Sequence, residues 1–211
     1  MLAAMTESST PEEKPQHRGR KERRPPKPAT PERLHKAALH YLERYSSSTE
    51  NLRRVLGRRI DRSARLHGTD RSEAATWVDG IVDKLTALGL LDDGRYAEGR
   101  ALSLHRRGAS LRKISGMLRQ KGLDDDRIET ALHTLKEEMP APDLAAAIRL
   151  ARRRRLGPWR DPARRGDRRD RDLAALARAG FAYDLAQKVI DADDPEQLEE
   201  ALADAADEMI R

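Results

Sequence analysis

Two stretches of this chain repeat one spacing of leucine, glycine and apolar residues, and an internal repeat limits the fold before any single residue does. One runs Leu118, Gly122-Leu123, Ile128 and Leu132; the other runs Leu176, Gly180-Phe181, Ala186 and Ile190. In both, the leucine lies four residues before the glycine, an apolar residue follows the glycine directly, and two more come six and ten residues after it. A fainter third copy aligns Leu52 and Leu56 with Ile114 and Leu118. The pattern predicts a small helical unit used several times. Such arrays present an extended binding surface rather than one deep active site.

Composition sets how much each unit can bury. The chain is 37% hydrophobic, 3% aromatic and 37% charged, so a lone unit is marginal and unit must stack on unit. There is no cysteine, which excludes disulfides and thiolate metal sites and fits a reducing cytoplasm. No apolar run approaches the roughly 20 residues that span a bilayer. Met1 to Thr10 lack a basic segment leading into an apolar one, which argues against a secretory signal. The expectation is a cytoplasmic protein without a membrane partner. The net charge of +6 is the remainder of 42 basic and 36 acidic residues, so charge distribution says more than the total.

Residues 1–29 read as a basic, proline-rich disordered arm, with Pro11, Pro15, Pro25, Pro26 and Pro28 against helix. A solvated tail and a tail that tracks nucleic acid are both open for it. Repeat 1 spans 30–90. Thr30-Pro31-Glu32 opens a helix through about Tyr45, carrying Leu34, Ala38, Tyr41 and Leu42. Ser47 and Glu50 have capping-box spacing for a second, with Leu52, Val55, Leu56 and Ile60 inside. Asp61 to Thr69 reads as a charged connection. Asp70 caps a third helix facing inward with Trp77, Val78, Ile81, Val82, Leu85 and Leu88, and Gly89 stops it.

Repeat 2 spans 91–140, opening at Asp92-Asp93, with Ser110 and Asp124 capping its later helices and Gly108 and Gly122 ending the earlier ones. Repeat 3 spans 141–192, opening near Pro142-Asp143. An irregular arginine-rich linker from Gly157 to Gly166 follows, then helices with Leu173, Leu176 and Ala177, and with Leu185, Val189 and Ile190. Residues 193–211 form an acidic helix from Pro195, with Leu198, Leu202, Ala205 and Met209 on its apolar face. That helix either folds back on the arginine-rich segment or stands as a solvated tail. The fold class is all-α: tandem three-helix, helix-turn-helix-like units in an elongated array that can curve.

No chemistry is assembled by these residues. Asp92-Asp93 and Asp124-Asp125-Asp126 sit at helix starts, where capping explains them, and the latter lacks the glycine and distal glutamate of a calcium loop. The histidines, His40, His105 and His133 among them, show no metal-ligand spacing. Neither a phosphate loop nor a dinucleotide fingerprint occurs. No cofactor, metal or catalytic residue is expected, and any effect on ATP hydrolysis must act on another protein. Trp77 reads as core; Trp159 reads either as a base-stacking residue or as local packing.

Arginine density is the functional signal. Arg149, Arg152, Arg153, Arg154, Arg155, Arg160, Arg164, Arg165, Arg168, Arg169 and Arg171 crowd one region, opposed by Asp161, Asp167 and Asp170. A second cluster is Arg53, Arg54, Arg58 and Arg59, and a third is Arg106, Arg107, Arg112 and Lys113. Such clusters attract phosphates with salt-dependent, sequence-independent affinity. The candidate contacts are the residues of the second and third clusters with Arg152 to Arg155, Arg168 and Arg169.

The order of these features resembles the RecX family, bacterial regulators of the RecA recombinase. The strongest match is Gly89-Leu90-Leu91-Asp92-Asp93-Gly94-Arg95-Tyr96-Ala97, an apolar pair, two acidic residues, then an aromatic and a small residue. Arg107-Gly108, Ile114, Leu118, Lys121-Gly122-Leu123 and Ile128 look like the family's second repeat. Ala38, Tyr41-Leu42, Ser48, Leu52-Arg53 and Leu56 look like its first, and Arg178, Gly180-Phe181 and Ile190 like the end of its third. The likeness runs from about Thr30 to Ala192. Tyr45 stands where the family often has a basic residue, and Asn51 where an acidic one is common. The resemblance implies three tandem three-helix repeats, no cofactor and no catalysis. It implies binding along the RecA–single-stranded DNA filament; a monomeric state and double-stranded DNA as a further partner are separate expectations. The resemblance also implies altered recombinase activity, mainly inhibition, affecting ATP hydrolysis, strand exchange and filament growth in recombination, DNA repair and the SOS response. A general basic nucleic-acid-binding or helix-turn-helix regulator, and a helical scaffold for an acidic protein, are the other readings of the residues.

Overall fold

The computed structural model describes residues 26–211, so most of the basic arm lies outside the described residues. Those residues form ten α-helices and two short 3-10 turns, with no strand. α1 (Pro31–Leu42), α2 (Thr49–His67) and α3 (Arg71–Ala87) enclose one apolar core; α4 (Asp93–Arg106), α5 (Leu111–Gln120) and α6 (Asp125–Glu138) enclose a second. α7 (Pro142–Arg154), α8 (Arg165–Arg178), α9 (Tyr183–Asp191) and α10 (Pro195–Ile210) build a third.

Where the sequence offers a capping side chain the helix starts use it, with a one-residue shift at α2, while α7, α8 and α9 start without a side-chain cap. Thr30, Asp70, Asp92, Ser110, Asp124 and Asp194 each accept from an N–H in the following turn. At α2 the cap is Ser48, not Ser47: its Oγ accepts from the Asn51 N–H at 3.2 Å. Ser47 is buried instead, accepting from Asn51 Nδ2 at 2.8 Å and donating to the Ser48 carbonyl at 3.2 Å. The expected connection from Asp61 to Thr69 is also mostly helix, because α2 runs on to His67 and ends at Gly68. Buried Ile60 and Ser63 carry the inner face that far, and Ser63 Oγ accepts from the Ala29 N–H at 2.7 Å. Leu88, expected inside, is 62% exposed, since α3 stops one residue before it. On α8 the inward residue is Ala175 rather than Ala177.

The cores are joined by one arrangement used twice. Ser48 Oγ, while capping α2, donates to the Lys121 carbonyl at the end of α5, at 2.5 Å. Ser110 Oγ, while capping α5, donates to the Ala179 carbonyl at the end of α8, at 2.8 Å. The next residue repeats too: the Thr49 N–H donates to Asp93 Oδ1 at 2.8 Å, and the Leu111 N–H to Asp143 Oδ1 at 2.8 Å. Each joint therefore satisfies orphan donors at one helix start with acceptors from the following triplet. Among the described residues no hydrogen bond or salt bridge links the first triplet to the third, so the order is linear.

The glycines of the repeated template sit inside these joints. Gly122 has φ +80°, and a Cβ there would lie 2.2 Å from Glu50 Cγ and 2.4 Å from Glu50 Cβ. Gly180 has φ +91°, and its Cβ would lie 2.6 Å from Ser110 Oγ. Each glycine thus ends a helix and lets the preceding triplet approach. Gly68 has φ +69° with nothing within 4 Å of its Cβ position, so it carries the backbone requirement alone. Gly68→Ala is expected to cost about 1 kcal/mol, the left-handed penalty. Gly122→Ala and Gly180→Ala are expected to cost roughly 2–4 kcal/mol, because steric displacement adds to that penalty. Thermal unfolding of the three variants checks this; equal losses would mean that the close approach carries no energy.

Candidate nucleic-acid interface

The structure places the predicted basic residues very unevenly. Arg53 pairs with Asp79 at 3.1 Å. Arg54 pairs with Glu50 at 3.0 Å and donates to the Gln120 carbonyl at 2.6 Å, so it belongs to the first joint. Arg58 and Arg59 are exposed on α2, without an ion-pair partner among the described residues. Arg112 and Lys113 lie at the start of α5, beside the second joint; Arg112 is exposed there. Arg168 is half-buried on α8, and Arg169 makes a two-pronged pair with Asp191 at 2.8 and 2.6 Å. That carboxylate raises the Arg169 pKa and occupies the guanidinium edge that would meet a phosphate.

Two clusters far apart in sequence meet across the second joint. Arg153 Nη1 donates to the Arg107 carbonyl at 2.7 Å. This places the turn after α4, with exposed Arg106 and Arg107, against the end of α7, with exposed Arg152, Arg153, Arg154 and Arg155. Arg155 adopts φ +53° at the C-cap of α7. An L-residue is strained there by about 1–2 kcal/mol, and its charge sits among the other arginines.

Other arginines in the dense region serve the fold. Buried Asp172 accepts from the Gly157 N–H at 3.0 Å and from Arg160 Nε and Nη2 at 2.9 and 2.7 Å. That carboxylate organises the expected irregular linker into two 3-10 turns, Gly157–Trp159 and Pro162–Arg164. Asp172 raises the pKa of Arg160 by accepting from it. Arg165 donates to the carbonyls of Ile190, in the last turn of α9, and of Ala192 and Asp193 just beyond it. Asp191 to Asp193 is therefore the acidic segment that meets arginine. α10 itself docks through apolar contact, with Leu198 buried and Ala201 and Leu202 against the third core. Trp159 packs on the same core.

His105 is a residue whose role local sequence does not show. It is fully buried between α4 and α7, its Nε2 lying 2.7 Å from the Pro142 carbonyl. A carbonyl oxygen only accepts, so Nε2 carries the hydrogen. Arg149 Nη2 lies 3.2 Å from Nδ1 and 3.3 Å from Nε2, which disfavours a second proton. Burial is the largest influence and lowers the pKa; the Pro142 hydrogen bond and Asp143 oppose it, and Arg149 adds to it. Asp124, by contrast, has its carboxyl held below the usual range mainly by the Arg127 N–H, as a cap should. Among the described residues no group of His, Asp and Glu is placed to hold a metal.

Among the described residues this is an all-helical repeat protein of linked small bundles, with arginines gathered where the second bundle meets the third. Comparison with known proteins gives that class a family. The family model for RecX, second three-helix domain, matches residues 92–132. The regulatory protein RecX of Myxococcus xanthus is 46% identical over 179 residues, covering 82% of this chain and 92% of that protein. The regulatory protein RecX of Agrobacterium fabrum is 33% identical over 171 residues, covering 80% and 87%. The crystal structure of RecX from Lactobacillus salivarius matches the fold with a TM-score of 0.53 at 22% identity, over 81% of this chain and 97% of that one. A further crystal structure of a regulatory protein RecX has a TM-score of 0.54 at 24% identity, over 77% and 72%. The chain belongs to the RecX family of regulatory proteins.

The buried histidine makes stability depend on pH. Its folded pKa is depressed, so below the unfolded value of about 6.5 the unfolded chain binds more protons. Stability is therefore full above about pH 6.5 and falls as pH drops toward the folded pKa, by at most about 1.4 kcal/mol per pH unit from this group. His105→Gln, which retains a donor for the Pro142 carbonyl, is expected to flatten that slope. Urea unfolding midpoints between pH 7 and 5 measure it; parallel slopes would assign the dependence to other groups.

Proposed function

We propose that this protein restrains the RecA recombinase by lying along the RecA–single-stranded DNA filament and slowing ATP hydrolysis, strand exchange and filament growth. The observation that carries the reading is the arginine cluster across the second joint, in a chain of the RecX family. Its Arg106, Arg107, Arg152 and Arg154 are exposed and without ion-pair partners among the described residues. Guanidinium groups grouped on two adjoining triplets suit a ligand with regularly spaced phosphates. Repeats at 30–90, 91–140 and 141–192 then serve as three successive contact units. The protein acts in the cytoplasm as a monomer, without a cofactor, in recombination, DNA repair and the SOS response. Double-stranded DNA binds the same arginines through its phosphates, more weakly than the filament does. Arg58, Arg59, Arg112, Lys113 and Arg168 extend the basic surface, while Arg53, Arg54 and Arg169 act mainly through their carboxylate partners.

The test adds purified protein to RecA on single-stranded DNA at fixed salt and follows ATP hydrolysis and filament length. Inhibition well below a one-to-one ratio with recombinase is expected. Replacing Arg106, Arg107, Arg152 and Arg154 by alanine should raise the inhibitory concentration about tenfold or more. It should also flatten the salt dependence of DNA binding, by about 0.7 in logarithmic slope for each phosphate that is no longer neutralised. No effect on recombinase with tight duplex binding would favour a general nucleic-acid regulator. No effect and no DNA binding would favour a scaffold for an acidic protein.

Arg155 separates stability from binding. Arg155→Gly relieves the left-handed strain and is expected to stabilise the fold by about 1 kcal/mol, or roughly 2–4 °C in melting temperature. The same change should weaken single-stranded DNA binding. A variant that melts higher and binds as before would remove Arg155 from the contact surface.

A further inference from the structure

We propose that a second groove, between the α1–α2 turn and α4, binds single-stranded DNA with an unpaired base stacked on Tyr45 and the flanking phosphates on Arg44, Arg95 and Arg100. This deepens the DNA-contacting reading above and rests on it, while lying at the other joint from the arginine cluster described there.

The groove encloses about 470 Å³ and no carboxylate lines it. α4 contributes Arg95 and Gly99 on one row of its surface and Tyr96 and Arg100 on the next. The turn contributes Arg44, Tyr45 and Ser46, all exposed. None of the three arginines has an ion-pair or hydrogen-bond partner for its guanidinium among the described residues. This contrasts with Arg53, Arg54, Arg160 and Arg169, whose charges are answered by neighbouring carboxylates.

Tyr45 is 57% exposed, yet it is held in place. Its N–H donates to the Tyr41 carbonyl at 3.0 Å, and its ring lies 5.2 Å from the Tyr41 ring, tilted by 40°. Tyr41 is fixed in turn, its phenol oxygen accepting from Asn51 Nδ2 at 3.1 Å. An exposed aromatic on its own is ordinary surface. An anchored one, beside three unanswered arginines, has the composition of a base-stacking site that tracks a backbone. Gly99 keeps the floor open: a Cβ at that position meets nothing within 4 Å. The buried Tyr96 ring forms the wall below, and burial raises its pKa, so it stays neutral beneath a polyanion.

The experiment uses the full chain and measures fluorescence anisotropy with two oligomers of equal length and charge, oligothymidylate and its abasic counterpart, at one salt concentration. Tyr45→Ala is expected to weaken oligothymidylate binding on the order of tenfold and to leave the abasic oligomer within about twofold, while Tyr45→Trp retains both. Gly99→Leu fills the floor and improves helix propensity; it should weaken binding of both oligomers without lowering the melting temperature. Equal loss on both oligomers with Tyr45→Ala, or no loss with Gly99→Leu, overturns the groove. Loss of recombinase inhibition by Tyr45→Ala with unchanged oligomer affinity also overturns it and makes the groove a protein-docking surface. Wild-type protein that binds neither oligomer brings down the DNA-contacting reading and the groove together. Wild-type binding that responds only to the Arg106, Arg107, Arg152 and Arg154 replacements brings down the groove alone.

Discussion

A serine hydroxyl that serves two triplets at once is the interaction on which the rest depends. Ser48 and Ser110 each accept from an N–H three residues on and donate to a carbonyl of the next triplet, Lys121 and Ala179 respectively. Helix termini leave unsatisfied donors at one end and acceptors at the other. The joint brings the two kinds of orphan together, so neither has to face solvent. It also explains the glycine requirement better than helix termination does. Any side chain at Gly122 or Gly180 would push away the serine-bearing turn that arrives there. Small, leucine- and alanine-lined cores give each triplet little burial of its own, and this polar contact makes their stacking directional.

What the sequence discloses divides along local and non-local lines. Helix starts at Thr30, Asp70, Ser110 and Asp124 are legible because a cap and its N–H partner lie within one turn. The template itself is legible because burial repeats with helical period. The joints are not, because their partners lie 73 and 69 residues apart. Asp93 reads in sequence as a second capping carboxylate, and in space it reaches across to Thr49. The cap at α2 differs from expectation by one residue for a related reason. Ser46-Ser47-Ser48 offers three local candidates, and only the incoming Lys121 carbonyl distinguishes the third.

The arginine-rich region shows the same limit for function. Density along the chain marks a basic region, but density does not separate an arginine that holds a loop from one that faces solvent. Asp172, absent from the set of opposing acids read from the linker, is the carboxylate that claims Arg160. Arg165 is taken up by carbonyls that end α9. What remains exposed is a narrower set, gathered by a contact between Arg153 and Arg107 that no local pattern encodes. The groove at Tyr45 is hidden for the opposite reason. Its charges are spread over the α1–α2 turn and α4 and never form a run in the sequence.

The two joints share their main-chain geometry and differ in charge, and this follows from how they are built. The ties run through serine hydroxyls, main-chain carbonyls and one aspartate each, so the positions beside them are free to vary. Following the alignment of Leu52 and Leu56 with Ile114 and Leu118, Glu50 corresponds to Arg112 and Asn51 to Lys113. The cleft at the first joint carries Glu50, Asp92, Asp93 and Asp124 with Arg53 and Arg127, while arginine gathers at the second. A repeat that fixes backbone contacts while leaving its rim unconstrained allows neighbouring units to meet chemically different parts of one long ligand. It also explains why the repeated template predicts architecture so well and recognition so poorly. The residues that must recur are those that pack and join, and the residues that select a partner lie on the surfaces where recurrence is not required.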